Sequence, residues 1–402
     1  MNRFACLTAA VLMSAATSLA ADSGTRQPLK VFILAGQSNM QGHAHIRTFE
    51  HIGLDPKTVP MLKEMQDAEG NPRICKDVWI SSIGSSDSEK SGRLTAGFGA
   101  EAKGPKIGPE FTFGLYAQKK LKQPILIIKT AWGGKSIHTD FRPPSAGAYK
   151  FNENQVAQLK KQGKDLDEAK AARAKVTGHY YRLMTQHVHK VLSDIKRVYP
   201  EYDEQQGYEL AGLVWFQGWN DMVDRGVYPN RDKSGGYDDY SKVLTHFIRD
   251  VRKDLKAPQL PFVIGVMGAG GPISKYTPDQ KRYAAIHQNF RDAMAGPAKL
   301  PEFKGNVTAV LTENYWDNEL HQLRYRDSRI KRAVNAMQKA GDITKQEAAE
   351  MQKSLRMKKF TERELRVLST ATSNFEFHYL GCAKILAGIG KGFAEAVCEM
   401  QK

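Results

Sequence analysis

The sequence predicts an α/β protein: a three-layer α/β/α sandwich around a central parallel sheet of about five strands, with helical insertions. Three observations carry this expectation. Short apolar runs alternate with longer helical stretches, the pattern of repeated βαβ units. The run at residues 124–129 is continuously apolar, as in a strand buried on both faces. Several runs also end in turns rich in Gly, Ser, Asn and Gln, where open parallel sheets place their ligands.

In chain order, residues 30–35 form the first strand and lead into Gly36-Gln37-Ser38-Asn39-Met40. Residues 78–83 form a second, short strand. Pro109 is placed to start a helix to residue 121, since its missing N–H costs nothing in a first turn. After the strand at 124–129, residues 152–199 read as one or two long helices, charged and then amphipathic. A strand at 210–216, a helix at 237–255 and a strand at 260–267 follow. A helix near 280–294 and a strand at 307–312 come next. Residues 319–368 form a highly charged helical insertion, and residues 381–400 a closing helix. No internal repeat interrupts the series. The organisation expected is one domain from residue 21 to 402, with helical insertions at about 142–200 and 319–370.

The 402 residues are 25% charged and 41% hydrophobic, the balance of a globular protein. Residues 1–20 differ from the rest. Arg3 precedes an Ala/Leu-rich run from Phe4, and Ser18-Leu19-Ala20 offers small residues at the −3 and −1 positions of a cleavage site. This is the pattern of a signal peptide, too short for a comfortable bilayer span, and it predicts a secreted or periplasmic protein. No later segment reads as a membrane span. Removing the leader leaves Cys75, Cys382 and Cys398, an odd number without metal-ligand spacing, expected as buried free thiols. One bridge from Cys75 to either of the others is the alternative. The formal charge of +16 comes from basic residues scattered over amphipathic stretches, without a motif that reads nucleic acid.

Four constellations can carry chemistry. Ser38 follows the first strand, where a serine is exposed at the carboxyl edge of the sheet. Taken alone it is as easily a turn serine. Met40 stands where the nucleophile elbow of α/β-hydrolases needs its second glycine, so this is not that motif. Trp215-Phe216-Gln217-Gly218-Trp219-Asn220-Asp221 ends another strand, and Gln217 and Asn220 offer amide donors for an oxyanion. His378 lies just ahead of the last helix, a general-base candidate. Finally, Gly108-Pro109-Glu110 opens a helix, and Trp132-Gly133-Gly134-Lys135-Ser136 follows a strand, with Gly108 able to offer its N–H to an oxyanion. A metal is not expected. His43-Ala44-His45 follows the first strand without the further strand-end ligands a metal centre needs, and His187 and His189 point to different faces of one helix.

Together these residues resemble the SGNH hydrolases, specifically the sialate O-acetylesterase-like branch that includes the acetylxylan esterases of carbohydrate esterase family six. Gly36-Gln37-Ser38-Asn39-Met40 is similar to the first block of that branch, and Gly108 to its second-block glycine. Gly218-Trp219-Asn220-Asp221, within the Trp-x-Gln-Gly run, fits the third block, and His378 with Leu380-Gly381 the fifth. The resemblance covers residues 29–400 apart from the insertions. It implies a flavodoxin-like fold and a secreted esterase that removes O-acetyl groups from glycans without metal or cofactor. Ser38 would be the nucleophile and His378 the base. Backbone N–H groups of Ser38 and Gly108, with the amide of Asn220 or Gln217, would form the oxyanion hole. Gln37, Asn39, Trp132, Gly133, Lys135 and Trp219 are the candidates for substrate contact, and Tyr315 and Trp316 further aromatic platforms.

The chain departs from the pattern at one point. The branch carries Asp three residues before the histidine, and here that residue is Phe375. Asn374 and Glu376 are neighbours in another geometry. Asp221 is the favoured substitute, with Asp317 or a Ser–His dyad as alternatives, since an acid that only orients the imidazole can come from elsewhere on the chain. Two other readings stay open. One is a catalytically silent glycan binder on the same fold. The other is an SGNH lipase or thioesterase, which the polar Lys135, His138, Asp140 and Arg142 region disfavours.

Overall fold

The computed structural model describes residues 27–401, so the leader lies outside the described residues. In chain order the principal elements are β1 (Leu29–Gly36), α1 (Ser38–Gln41), β2 (Val78–Gly84), β3 (Glu89–Arg93), α2 (Glu110–Leu121), β4 (Ile125–Ala131), α3 (His179–Ser193) and β5 (Tyr208–Phe216). They continue with α4 (Asp238–Asp254), β6 (Phe262–Val266), α5 (Ala284–Ala295), β7 (Val307–Leu311), α6 (Asn318–Ala340), α7 (Lys345–Lys359), α8 (Glu362–Thr370) and α9 (Ala383–Glu399).

The sheet has seven strands in the order β3-β2-β4-β1-β5-β6-β7, and all neighbours are parallel except β2 and β3. Without the β2–β3 hairpin, five parallel strands remain in the order β4-β1-β5-β6-β7, the flavodoxin-like arrangement. The expected sandwich is therefore present, with seven strands against about five parallel ones anticipated, and β3 is the one strand without a counterpart among the segments read as strands. β3 escapes a hydrophobicity pattern because its sequence, Glu-Lys-Ser-Gly-Arg, is that of a polar edge strand.

Strand residues alternate between two apolar layers. Phe32 and Leu34 of β1 face one layer with Phe111 and Phe113 of α2 and Ile385, Ile389 and Phe393 of α9. Val31, Ile33 and Ala35 face the other with Tyr181, Met184 and Val188 of α3, Phe247 and Ile248 of α4 and Phe290 of α5. Each fully buried side chain of this size contributes roughly 1.5–3 kcal/mol. α3 thus belongs to the sandwich. Only the preceding helices, Glu153–Lys161 and Leu166–Val176, which bury no residue, have the character of an insertion. α6, α7 and α8 form the second insertion. His187, on one face of α3, is buried and hydrogen-bonded to Ser81 Oγ at 2.9 Å. Cys75, Cys382 and Cys398 are buried free thiols, and Cys382 caps α9 rather than lying within it.

Chain direction changes around β1: β2 and β4 lie on one side of it, β5 to β7 on the other. Such a switch point opens a crevice at the carboxyl ends of the strands. The turns after β1, β4 and β5 meet there.

Candidate active site

Ser38 is the first residue of α1, separated from the end of β1 by Gln37 alone. The turn is tight because β1 and β5 lie close: a Cβ on Gly36 would stand 2.2 Å from the Phe216 carbonyl oxygen. As a first-turn residue, Ser38 has a backbone N–H without an intrahelical acceptor. Its side chain opens into a cavity of about 680 Å3 that is also lined by Gly133, Gly134, Trp219, Asn220 and His378. The cavity therefore gathers the ends of β1, β4 and β5 and the loop before α9.

His378 sits in a loop held in an unusual conformation. Tyr379 and Leu380 have φ values of 51° and 62°, in the left-handed region that non-glycine residues enter at a cost of about 1–2 kcal/mol each. The fully buried Tyr379 hydroxyl anchors this turn, accepting from the Gly268 N–H at 2.8 Å and lying 2.6 Å from Thr312 Oγ1. Ser373 and Asn374 donate their N–H groups to the Leu380 carbonyl, closing the loop.

The imidazole is oriented by Asn374. Asn374 Oδ1 lies 3.0 Å from His378 Nδ1, while its Nδ2 lies 3.4 Å from His43 Nδ1. With oxygen facing one ring and nitrogen the other, His378 donates from Nδ1 and keeps its Nε2 lone pair free, and His43 carries its proton on Nε2. The two rings stack in parallel, 3.9 Å between centroids and 1° apart in plane. Burial lowers the His378 pKa to about 4 and, with the nearby His378, Lys106 and Lys129, lowers that of His43 to about 3. Both are neutral at neutral pH. His43, weighed from sequence only as a metal ligand, is thus part of the cavity wall. Among the described residues no cluster of His, Cys, Asp and Glu has the geometry of a metal site.

Several sequence expectations are placed elsewhere. Asp221 is buried against a different loop. Its carboxylate accepts from the Ile137 and His138 N–H groups at 2.9 and 3.1 Å and from Gln217 Nε2 at 2.5 Å, with Tyr228 Oη at 3.3 Å. Burial, only partly offset by those donors, raises its pKa to about 6. Asp317 bonds His51 at 2.8 Å and Lys384 at 3.0 Å. Neither acid orients His378, because each is consumed by backbone or cationic partners beneath the surface. Gln217 is also spent internally: Nε2 donates to Gln37 Oε1, the Lys135 carbonyl and Asp221. Gly108 donates its N–H to Glu110 Oε1 at 2.9 Å and is not on the cavity wall. The glycine beside Ser38 is Gly133, where a Cβ would lie 3.9 Å from Ser38 Cβ.

The substrate-contact candidates divide in the same way. Gln37 is fully buried and ties the β1 turn to the β5 turn, its Oε1 accepting from the Gly218 N–H at 3.2 Å and its Nε2 lying 3.5 Å from Ser38 Oγ. Asn39 is buried. Trp132 is buried, donates Nε1 to Asp87 and packs on Phe141 and Tyr180. Lys135 lies over the Tyr180 ring, 4.4 Å from its centroid. Trp316 is buried, and Tyr315 packs against Gly388 and Gly392 of α9. Gly133 and Trp219 do reach the cavity. Sequence reasoning set Asn374 aside as a neighbour of the missing acid that needs another loop geometry, and it missed Ser85, Ser86 and Glu101, which polar loops bring to the cavity without a motif.

Beneath the site, Lys129 and Glu110 form a fully buried ion pair at 2.7 Å. Lys129 Nζ also donates to the Gln41 and Phe98 carbonyls at 2.8 Å each. The pair thereby fastens the end of α1 to α2 and β4, and burial lowers the Lys129 pKa against the raising influence of Glu110.

Residues 28–304 match the family model for carbohydrate esterases described as sialic acid-specific acetylesterases. That span holds Ser38, Gly133 and Asn220 and ends before Asn374 and His378. No curated protein matches the chain in sequence. Among solved structures, a protein from Arabidopsis thaliana is 18% identical, with 71% of this chain and 86% of that one covered and a TM-score of 0.38. A carbohydrate acetylesterase from Xanthomonas citri is 14% identical, with 72% and 51% covered and a TM-score of 0.36, so the chain spans about half of that protein. NanS is 14% identical, with 71% and 78% covered and a TM-score of 0.36.

Proposed function

The chain belongs to the carbohydrate esterase, sialic acid-specific acetylesterase family, and from that premise we propose that it is an exported serine esterase that removes O-acetyl groups from glycans through Ser38, His378 and Asn374. The observation that carries this reading is the Asn374–His378 hydrogen bond in the cavity that Ser38 opens into. It leaves the His378 Nε2 lone pair free for a proton, the tautomer a general base needs.

Ser38 Oγ attacks the acetyl carbonyl carbon as its proton passes to His378 Nε2. The carbonyl oxygen becomes an oxyanion, met by the Ser38 N–H, the backbone at Gly133 and the Asn220 amide. One such donor typically lowers the barrier by about 3–4 kcal/mol. Collapse returns the proton from His378 to the departing sugar oxygen and leaves an acetyl ester on Ser38. Water, deprotonated by the same imidazole, attacks that ester and releases acetate. Asn374 holds the ring and accepts from the Nδ1–H throughout. An amide oxygen stabilises the imidazolium less than a carboxylate does. The scheme moves only protons and an acyl group, so no cofactor enters it.

Export rests on residues 1–20, whose apolar run and Ser18-Leu19-Ala20 ending fit a leader cleaved before Ala21. Among the described residues no helix is long and apolar enough to cross a membrane. Acetate release from acetylated xylan and from a chromogenic acetyl ester tests the activity. The wild type releases acetate, and Ser38→Ala and His378→Ala lose at least about 10³-fold in rate. Turnover that survives Ser38→Ala overturns the mechanism.

A further inference from the structure

We propose that the cavity takes a neutral O-acetylated sugar chain and rejects acid sugars, with Glu101 as the residue that discriminates; this deepens the esterase reading above and rests on it. The wall of the cavity contains one charged side chain, the carboxylate of Glu101, and no lysine or arginine among the described residues. Glu101 Oε1 accepts from Ser86 Oγ at 2.9 Å, so the group is held in the wall. Ser85 and Ser86 come from the turn of the β2–β3 hairpin, the part of the sheet outside the five-strand arrangement.

The neighbouring cations are engaged elsewhere. Lys135 lies over Tyr180, Lys90 Nζ donates to the Gly97 carbonyl at 2.8 Å, Lys106 Nζ donates to the Ala100 and Gly104 carbonyls, and Lys129 is buried with Glu110. Lys103 is exposed on the loop that carries Glu101 but does not line the cavity. A sugar carboxylate entering here would meet a carboxylate at close range without a guanidinium or ammonium to pair with. Unpaired like charges weaken binding and exclude the wrong partner.

Another part of the lining suits an uncharged ring. Trp219 and Phe377 line the cavity with centroids 5.5 Å apart, and Phe375 stacks on Phe377 at 5.4 Å and 13°. Phe375 is 69% exposed at the outer end of this row. It occupies the position where the resembling branch has its acid. With Asn374 orienting the base, residue 375 is free to extend an aromatic surface from beside His378 into solvent. A row of three rings leading out of the cavity fits successive sugars of a chain better than a single residue.

Two readouts separate this proposal from the esterase reading. The first is binding by calorimetry to Ser38→Ala, using acetylated xylo-oligosaccharide and O-acetylated sialic acid as probes. The second is wild-type turnover of the same two substrates and of a chromogenic acetyl ester. The proposal expects the neutral oligosaccharide to bind at least about tenfold more tightly. Glu101→Gln narrows that preference about tenfold by improving sialate, and Phe375→Ala weakens the oligosaccharide about three- to tenfold. Equal or tighter binding of sialate by the Ser38→Ala protein, or a preference that Glu101→Gln leaves in place, overturns it. Absence of turnover on all three esters defeats the esterase reading instead, because the binding comparison does not depend on catalysis.

Discussion

In the proposed mechanism, Asn374 is the residue on which the chemistry turns. The sequence places phenylalanine where an orienting acid is expected, and spacing alone directed attention to distant aspartates. The structure places the amide of the preceding residue on His378 Nδ1 at 3.0 Å, because the left-handed turn at Tyr379 and Leu380 folds the loop back on itself. Asn374→Ala should lower kcat roughly 10²-fold with a smaller change in KM, measured by steady-state kinetics on a chromogenic acetyl ester. Asn374→Asp should keep most of the rate. Protonation of His378 sets the acid limb of kcat/KM near its depressed pKa of about 4 in the wild type. A carboxylate beside the ring favours the charged imidazolium, so in Asn374→Asp that limb moves to higher pH. A limb that stays in place would mean residue 374 does not touch the base. Ser38, Asn220 and His378 were legible from the sequence as residues sharing a strand-end site. Gly108 was misplaced because a Gly-Pro pair at a helix start looks the same whether or not its N–H is already taken.

At the scale of elements, apolar runs made the core strands and layer helices readable, since burial on two faces leaves little freedom of composition. The β2–β3 hairpin was half hidden because an edge strand needs no apolar pattern, and its turn is what brings Ser85 and Ser86 to the cavity. The buried Lys129–Glu110 pair was not legible at all, because each looks like a surface residue of its own element. The pair holds the Gln41 carbonyl and the Gly108 N–H together under the turn that carries Ser38. Lys129→Met should destabilise the protein by about 3–5 kcal/mol, as it strands a buried carboxylate. Lys129→Met with Glu110→Gln should recover part of that loss. Chemical denaturation of the three variants measures both, and a single variant as stable as wild type would contradict the assigned role.

Over the whole molecule, buried histidines govern the response to acid. His138, His187, His287 and His378 each have pKa values lowered to about 4, all with burial as the leading cause. A lowered pKa means the unfolded chain binds protons first as pH falls. Their contribution is fully present above about pH 6.5, the ordinary histidine value, and is lost progressively towards pH 4. The thermal midpoint should therefore fall steadily from pH 7 to pH 4.5, and a midpoint that rises over that interval would contradict the assignment. The five-strand order with its switch point at β1 explains why one crevice collects residues from positions 38, 133, 220 and 378. Its outcome is a single claim, that Ser38 carries the acyl group. The most direct measurement is covalent labelling with a fluorophosphonate followed by peptide mass spectrometry. The adduct is expected on the peptide containing Ser38, and its formation should slow sharply in His378→Ala. An adduct on another residue, with Ser38 unmodified, would contradict the account.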